Sequence, residues 1–395
     1  MRNSVRRNIL LASILLTLTI MGKGLDAQTF TVLHNFTGGA DGGNPYAGVT
    51  LDRAGNLYGT TYSGTVYKMT HTGVSWTLAT LGNVGETWAG VTIGPNGSLY
   101  GTTLGGNGTI FNLRPPVHAC ANVLCSWTET VLYSFRGGTD GATPYSSVTF
   151  DQAGNIYGTT FDGGSHGDGT VFELSPSDGG WTESIIYAFS GSNGQSPVSG
   201  VTLDAAGNLY GTTWAGGTGS CNYSGSGGCG TVFELTYSGE SGWAESFLYS
   251  FANAADGETP YAGLIFDPSG NLYGAAAGGG GPVFEFTSSG GNWTYSLVYS
   301  LGGGDQLAYG PRGTLVMDET GNLYGTTYAE PLNGTVFKLT PSDNGTWTYT
   351  LLHGFTGPDG EYPQEGVTLD ANGNLYGTTS YGGRYGYGVV WEITP

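Results

Sequence analysis

Charged residues are scarce in this chain of 395 residues: Asp, Glu, Lys and Arg make up 10% of it, whereas about a quarter is usual in globular domains. The shortage is mainly basic, with 11 Lys and Arg against 30 Asp and Glu, so the formal net charge is −19. Phosphate backbones and anionic lipid head groups repel an acidic protein. The composition therefore argues against nucleic acid and membrane insertion, and against a helix-rich enzyme with charged helix faces.

Long apolar runs are also missing, apart from residues 9–21, which follow an arginine-rich start and precede a small residue at Ala27. This order of segments predicts a secretory signal peptide over residues 1–27. The run is short for a membrane span, and no other segment approaches ~20 apolar residues. Since no hydrophobic tail follows, we expect an exported, soluble, monomeric protein, with one domain over residues 28–395.

Cysteine is rare, and the four residues form two close pairs, Cys120 with Cys125 and Cys221 with Cys229. In an exported chain this spacing predicts two local disulfides. A metal site is the alternative, but it would need all four cysteines to converge, and neither spacing is that of a zinc finger.

Glycine and aromatic residues are plentiful instead, with 74 Gly and with Phe, Trp and Tyr at 13%. This aromatic content excludes a disordered chain, which would lack the apolar surface to offset its ordering entropy. Turn-forming glycine between β-branched and aromatic runs favours an all-β protein.

One heptapeptide, G-N-L-Y-G-T-T or a near variant, occurs seven times along the chain. Units of about 50 residues indicate a repeat architecture. The central tyrosines are Tyr58, Tyr100, Tyr157, Tyr210, Tyr273, Tyr324 and Tyr376.

Each unit contains four strand-like runs, which we call A to D, each of five to nine residues. In the third unit they begin at Ser146, Asn155, Gly169 and Trp181. The D-x-x-G-N sequence between A and B predicts a hairpin, because Asp can cap the turn and Gly accepts a positive φ.

The ends of the repeat predict a closed ring. The chain opens with a lone D strand, residues 29–36, and closes with an A, B and C set that lacks its D. Paired together, the fragments complete one sheet and leave no exposed edge. The sequence therefore predicts a seven-bladed β-propeller with four antiparallel strands per blade, closed by strand 29–36 pairing with the C-terminal blade.

The motifs L-Y-G-T-T, G-T-V-F-E-L and L-Y-S-F, with F-x-G-G-x-D-G-x-x-P-Y, resemble the GloVer tandem repeat of exported bacterial proteins over about residues 28–395. The resemblance implies export and a repeat fold, and it brings no activity. The D-x-x-G-N-L-Y hairpin is similar, more weakly, to the turn of NHL-type propellers.

The units differ most at the end of the ring formed by the D-to-A and B-to-C loops. One position just before strand A, which we call the mouth position, should ring the axial channel, where aromatic rings could stack on sugars while polar side chains hydrogen-bond. Packing of the loops is the alternative role. The mouth residues are Tyr46, Trp88, Tyr145, Val198, Tyr261, Arg312 and Gln364.

The B-to-C loops add further candidate ligand-binding residues on the same face: Trp214, Tyr223, Tyr381, Arg384 and Tyr385. The D-to-A loops carry an Asp-Gly pair at Asp41, Asp140, Asp256 and Asp359. Asp-Gly is first of all a turn former, and Ca²⁺ ligation is the alternative. No other cofactor is indicated.

These observations favour a non-catalytic binding protein whose partner is a glycan or a cell-surface component. No catalytic residue is assigned. An extracellular glycosidase or lyase remains an alternative, because carboxylates from different loops could meet over the channel. A structural surface protein is the other alternative, since propellers host unrelated functions.

Overall fold

The computed structural model of the chain describes residues 28–73, 75–116, 127–223, 226–239, 242–253, 255–302, 310–328 and 333–395. The predicted signal peptide and the Cys120–Cys125 pair lie outside the described residues. Within these ranges the chain forms seven four-stranded antiparallel sheets, one two-stranded hairpin and a short 3-10 turn at Gly138–Asp140. The sheets are the blades of a seven-bladed β-propeller, which confirms the predicted fold.

The strands follow the repeat units. The early strands are β1 (Thr29–Asn35), β2 (Thr50–Leu51), β3 (Leu57–Thr60), β4 (Thr65–His71), β5 (Trp76–Asn83), β6 (Thr92–Ile93), β7 (Leu99–Thr103), β8 (Thr109–Arg114), β9 (Thr128–Ser134), β10 (Thr149–Phe150), β11 (Ile156–Thr160), β12 (Thr170–Ser177), β13 (Gly180–Ala188), β14 (Thr202–Leu203) and β15 (Leu209–Thr213). The later strands are β16 (Asn222–Tyr223), β17 (Ser226–Gly227), β18 (Thr231–Tyr237), β19 (Trp243–Ser250), β20 (Ile265–Phe266), β21 (Leu272–Ala275), β22 (Pro282–Ser289), β23 (Asn292–Ser300), β24 (Val316–Met317), β25 (Leu323–Thr327), β26 (Thr335–Pro341), β27 (Trp347–Gly354), β28 (Thr368–Leu369), β29 (Leu375–Thr379) and β30 (Val389–Thr394).

The ring closes through the first strand of the chain. Strand β1 pairs antiparallel with β30, from Thr29 opposite Thr394 to Asn35 opposite Val389, in a sheet of order β1-β30-β29-β28. Phe30 and Val32 of β1 pack against the core between the last two blades. The predicted D strand therefore completes the seventh blade.

The innermost strands are shorter than predicted. Each A strand pairs over two residues, as in β2, rather than over five or more. Side-chain hydrogen bonds join neighbouring blades at this level of the ring. The Thr60 hydroxyl, for example, donates to the Ala89 carbonyl of the next blade at 2.6 Å.

This link explains the L-Y-G-T-T motif. Its first threonine donates to the next blade in six of the seven described units, while Ala275 takes its place in the fifth. Its glycine lies against an aromatic ring of strand C: a Cβ on Gly211 would lie 2.5 Å from Cζ of Phe233. Its leucine, which is Ile156 in the third unit, is buried in every described unit.

The predicted Asp turns form as expected. In the sixth unit Asp318 accepts hydrogen bonds from the Asn322 main chain at 2.9 Å, from the Asn322 side chain at 2.7 Å and from the Tyr324 hydroxyl at 3.0 Å. Burial opposes the charge, but these bonds outweigh it and lower the pKa of Asp318 to about 2.

We expect Asp318→Ala to lower the free energy of unfolding by about 1–2 kcal/mol at pH 7. The folded-state pKa lies below the ordinary value of 3.8, so the stabilisation is present above about pH 4 and disappears as the pH falls through 2. Denaturant unfolding at pH 7, 4 and 2 measures it. Asp343→Ala, in an exposed turn, is the control, and a difference from wild type that stayed constant with pH would contradict the prediction.

Candidate functional site

A cavity of about 700 Å³ lies on the axis of the ring, among the strands A and the D-to-A loops that precede them. The predicted mouth residues all line it, since each sits just before the innermost strand of its blade. The set is Tyr46, Trp88, Tyr145, Val198, Tyr261, Arg312 and Gln364.

The D-to-A loops are held in a strained backbone conformation two residues before the mouth position. Five residues that precede a proline there have φ between +51° and +59°: Asn44, Thr143, Ser196, Thr259 and Tyr362. Two main-chain hydrogen bonds hold each one. The Thr143 N–H donates to the Asn107 carbonyl at 2.9 Å, and the Thr143 carbonyl accepts from the Phe161 N–H at 3.0 Å. Such strain persists only when the surroundings over-determine it, so the loops present the mouth residues rigidly.

Three mouth residues form what we call the aromatic wall: Tyr46, Trp88 and Tyr145. The ring centroids are 5.4 Å apart between Tyr46 and Trp88 and 4.6 Å apart between Trp88 and Tyr145, with interplanar angles of 25° and 27°. The rings thus stack on one another rather than standing apart, and Trp88 stays 41% exposed. The wall is both packed and accessible.

A second row of aromatic residues continues the wall around the mouth. Tyr145 contacts Phe161 at a centroid distance of 5.1 Å, and Phe161 and Trp214 lie 6.3 Å apart. On the far side, Tyr362 and Tyr381 lie 6.1 Å apart. Sequence reasoning selected only Trp214 and Tyr381 of this row. The missed signal is the position directly after the heptapeptide, which is aromatic in four units: Tyr62, Phe161, Trp214 and Tyr328.

Arg312 closes the ring on its polar side. Its Cζ lies 3.8 Å from the ring centroid of Tyr328 and 5.0 Å from that of Tyr261, and its Nη1 donates to Oε1 of Gln364 at 3.2 Å. Its buried Nε has no hydrogen-bond partner among the described residues. The guanidinium is therefore fixed by two aromatic faces and one amide.

Glu365 follows Gln364 in the cavity lining, at a position where other units have Ala, Ser or Gly. Its Oε1 accepts a hydrogen bond from the Thr314 main chain at 3.2 Å. Burial raises the pKa of Glu365 above its ordinary value. Among the described residues that line the cavity, Glu365 is the one carboxylate and Arg312 the one cation. The mouth therefore combines an aromatic side with a small polar side.

The other predicted loop residues are not all brought to the cavity. The hydroxyls of Tyr381 and Tyr46 are 3.0 Å apart, so Tyr381 contacts the aromatic wall. Desolvation and this contact raise the pKa of Tyr46. Arg384 lies over the ring of Tyr385 at 5.4 Å on the exposed surface, away from the residues that line the cavity. The backbone of Tyr223 is in β16, and its side chain lies outside the described part.

The Asp-Gly aspartates serve their own loops. Asp41 and Asp359 contact a histidine of the adjoining D strand at 3.0 Å and 2.9 Å, respectively. Asp256 accepts from the Tyr249 hydroxyl at 2.7 Å, and Asp140 from the Arg136 main chain at 2.6 Å. Within the described residues none of the four joins a cluster of three ligand atoms. Their geometry is that of the predicted turns, and Ca²⁺ binding stays a prediction.

One of the two predicted disulfides is present, between Cys221 and Cys229. Cys229 is fully buried and belongs to the core between the fourth and fifth blades, with Phe251 and Ala276. The bond therefore ties the B-to-C insert of the fourth blade to the body of the ring. In the part of the chain that the structure covers, no helix is long and apolar enough to cross a membrane.

Comparisons with known proteins agree with this architecture. No curated protein matches the chain. Among solved structures, an ancestral GH74 enzyme is similar at 14% identity, with a TM-score of 0.56, over 90% of this chain and 48% of that one. The chain thus spans about half of that enzyme's length, and a likeness at this identity shows the fold alone. Residues 218–395 match the Gloeobacter/Verrucomicrobia repeat, and this part of the chain is accordingly made of GloVer-type repeats.

Proposed function

We propose that this protein is an exported, non-catalytic binding propeller that holds a glycan or another cell-surface component at the mouth of its axial cavity. The aromatic wall carries the proposal. Its exposed indole and phenol surface offers an apolar contact to the C–H faces of a sugar ring. Arg312 and Gln364, across the cavity, offer hydrogen bonds to sugar hydroxyls.

Rigidity supports the same function. The strained pre-proline residues and the stacked rings fix the mouth before any ligand arrives, so binding costs little ordering entropy. A cavity of about 700 Å³ lies within the range of ligand pockets, roughly 300–1,000 Å³. The similar GH74 enzyme is a glycoside hydrolase, which makes saccharides the first ligand class to test. Export is supported by the disulfide and by the export that the GloVer resemblance implies.

We expect Trp88→Ala to abolish retention of the protein on a glycan array while changing the melting temperature by no more than about 2 °C. Trp88 is the most accessible part of the aromatic wall, and little of the core rests on it, since exposed substitutions usually change stability by less than ~0.5 kcal/mol. The matched control is Trp76→Ala in β5, near the C-to-D turn at the opposite end of the blade, which should leave retention intact.

The two measurements distinguish binding from packing. A large drop in melting temperature with Trp88→Ala would mean that the wall serves only to pack the loops, which contradicts the proposal. Product release from a polysaccharide by the wild-type protein would instead favour the glycosidase or lyase alternative. Self-association at micromolar concentration without ligand would favour a structural surface role.

A further inference from the structure

We propose that the ligand of the mouth is acidic: a saccharide that carries a carboxylate, which Arg312 binds through the free edge of its guanidinium. This inference rests on the proposed glycan-binding function and narrows it to one ligand class.

The first observation is that Arg312 is held in place while its side chain makes a single hydrogen bond among the described residues. A guanidinium has five N–H donors, and one of them, on Nη1, is bonded to Gln364. Tyr328 and Tyr261 contact the group at 3.8 Å and 5.0 Å from its Cζ, and these ring contacts take up none of its N–H donors. A buried donor without a partner costs ~1–3 kcal/mol, and the Nε of Arg312 is such a donor among the described residues.

The second observation is that Arg312 has no carboxylate partner among the described residues. The two salt bridges among the described residues are His–Asp pairs, at His34 and His353, and neither involves Arg312. The one acidic residue among the described residues that line the cavity is Glu365. Its Oε1 accepts a hydrogen bond from the Thr314 main-chain N–H. Burial raises the pKa of Glu365, which weakens its hold on a negative charge. The positive charge of Arg312 is thus available to a ligand.

The third observation is the chemistry of the donor set. The planar fork of arginine matches a carboxylate with two parallel hydrogen bonds, and such bonds are about twice as strong as neutral ones. A neutral sugar would use the Gln364 amide and the aromatic wall without needing a cation. In a chain with a net charge of −19, a cation at the cavity is a local exception that selects for acidic ligands against the general repulsion.

The test compares acidic oligosaccharides with their neutral counterparts. Oligomers of galacturonate, glucuronate, mannuronate and sialic acid are titrated into the protein by calorimetry, beside the same oligomers after carboxyl reduction. We expect at least one acidic oligomer to bind about 10-fold or more tightly than its reduced form. We expect Arg312→Gln to erase that preference, because a truncated charge pair loses about this much or more.

Three variants keep the test decisive. Arg53→Gln changes the net charge equally in an exposed turn at the opposite end, and it should leave affinity unchanged. Arg312→Lys keeps the charge without the fork, and it should retain only part of the preference. Glu365→Gln removes the one carboxyl of the described cavity lining, and it should maintain or increase affinity. Melting curves of all variants show whether they are folded.

The failures of the two proposals are distinguishable. Equal binding of acidic and reduced oligomers, or an Arg312→Gln variant that behaves like Arg53→Gln, would overturn the inference and leave glycan binding in place. Binding of no saccharide on the array or by calorimetry would overturn the proposed function, and this inference with it.

Discussion

Deletion of residues 28–35 is expected to abolish the cooperative unfolding transition of the protein. This segment contains β1, which supplies the fourth strand of the seventh blade. Without it, β30 becomes an unpaired edge, and Trp391 loses Phe30, whose ring centroid lies 6.1 Å away. An aromatic contact, a row of ladder bonds and the closure of the ring are lost together. Losses of this kind exceed the 5–15 kcal/mol by which domains are usually stable.

A circular permutant is the matched control. Thr29 and Thr394 are paired partners, so a short glycine linker can join residue 395 to residue 28. New ends between Asp343 and Asn344, in the exposed C-to-D turn of the sixth blade, again leave one strand to complete a blade. We expect the permutant to melt cooperatively near the wild-type temperature, as measured by calorimetry. A deletion variant that melts like wild type would show that strand closure contributes little.

The second large effect is expected at the glycine of the heptapeptide and the ring beneath it. Phe233 is fully buried and packs edge-on against Phe189 at a centroid distance of 5.1 Å. Phe233→Ala should cost ~3–5 kcal/mol of unfolding free energy. Gly211→Ala should cost about 1–3 kcal/mol, because its Cβ would lie 2.5 Å from Cζ of Phe233.

A double-mutant cycle tests whether the two positions form one unit. With Gly211→Ala and Phe233→Ala together, the new methyl group occupies part of the space that the ring leaves. The loss should therefore be smaller than the sum of the single losses by at least about 1 kcal/mol. Denaturant unfolding of all four proteins gives the coupling. Simple additivity would contradict the close contact between Gly211 and Phe233.

Much of the fold could be predicted because the repeat states the same information seven times. The Asp turn depends on donors within six residues of Asp318, so its geometry is local and visible in the pattern. The incomplete units at the two ends predicted the pairing of β1 with β30 by simple complementarity. The mouth position was found because it lies at a constant offset from strand A.

Other features depend on contacts between units and were therefore missed. The threonine links join one blade to the next, as Thr60 does with Ala89, and no single unit shows them. The aromatic residues that follow the heptapeptide belong to the site because of contacts in space, such as that of Phe161 with Tyr145. The contact of Arg312 with Gln364 and that of Glu365 with Thr314 likewise join two adjoining blades.

The sequence by itself determined the number of blades, their strand order and the closure of the ring, because these follow from local periodicity and from which strand each end lacks. The tertiary structure alone decided which side chains share the mouth and which charges are paired. The physical reason is that stacking, burial and the pKa of a group such as Glu365 depend on neighbours that lie about fifty or more residues away in sequence and only ångströms away in space.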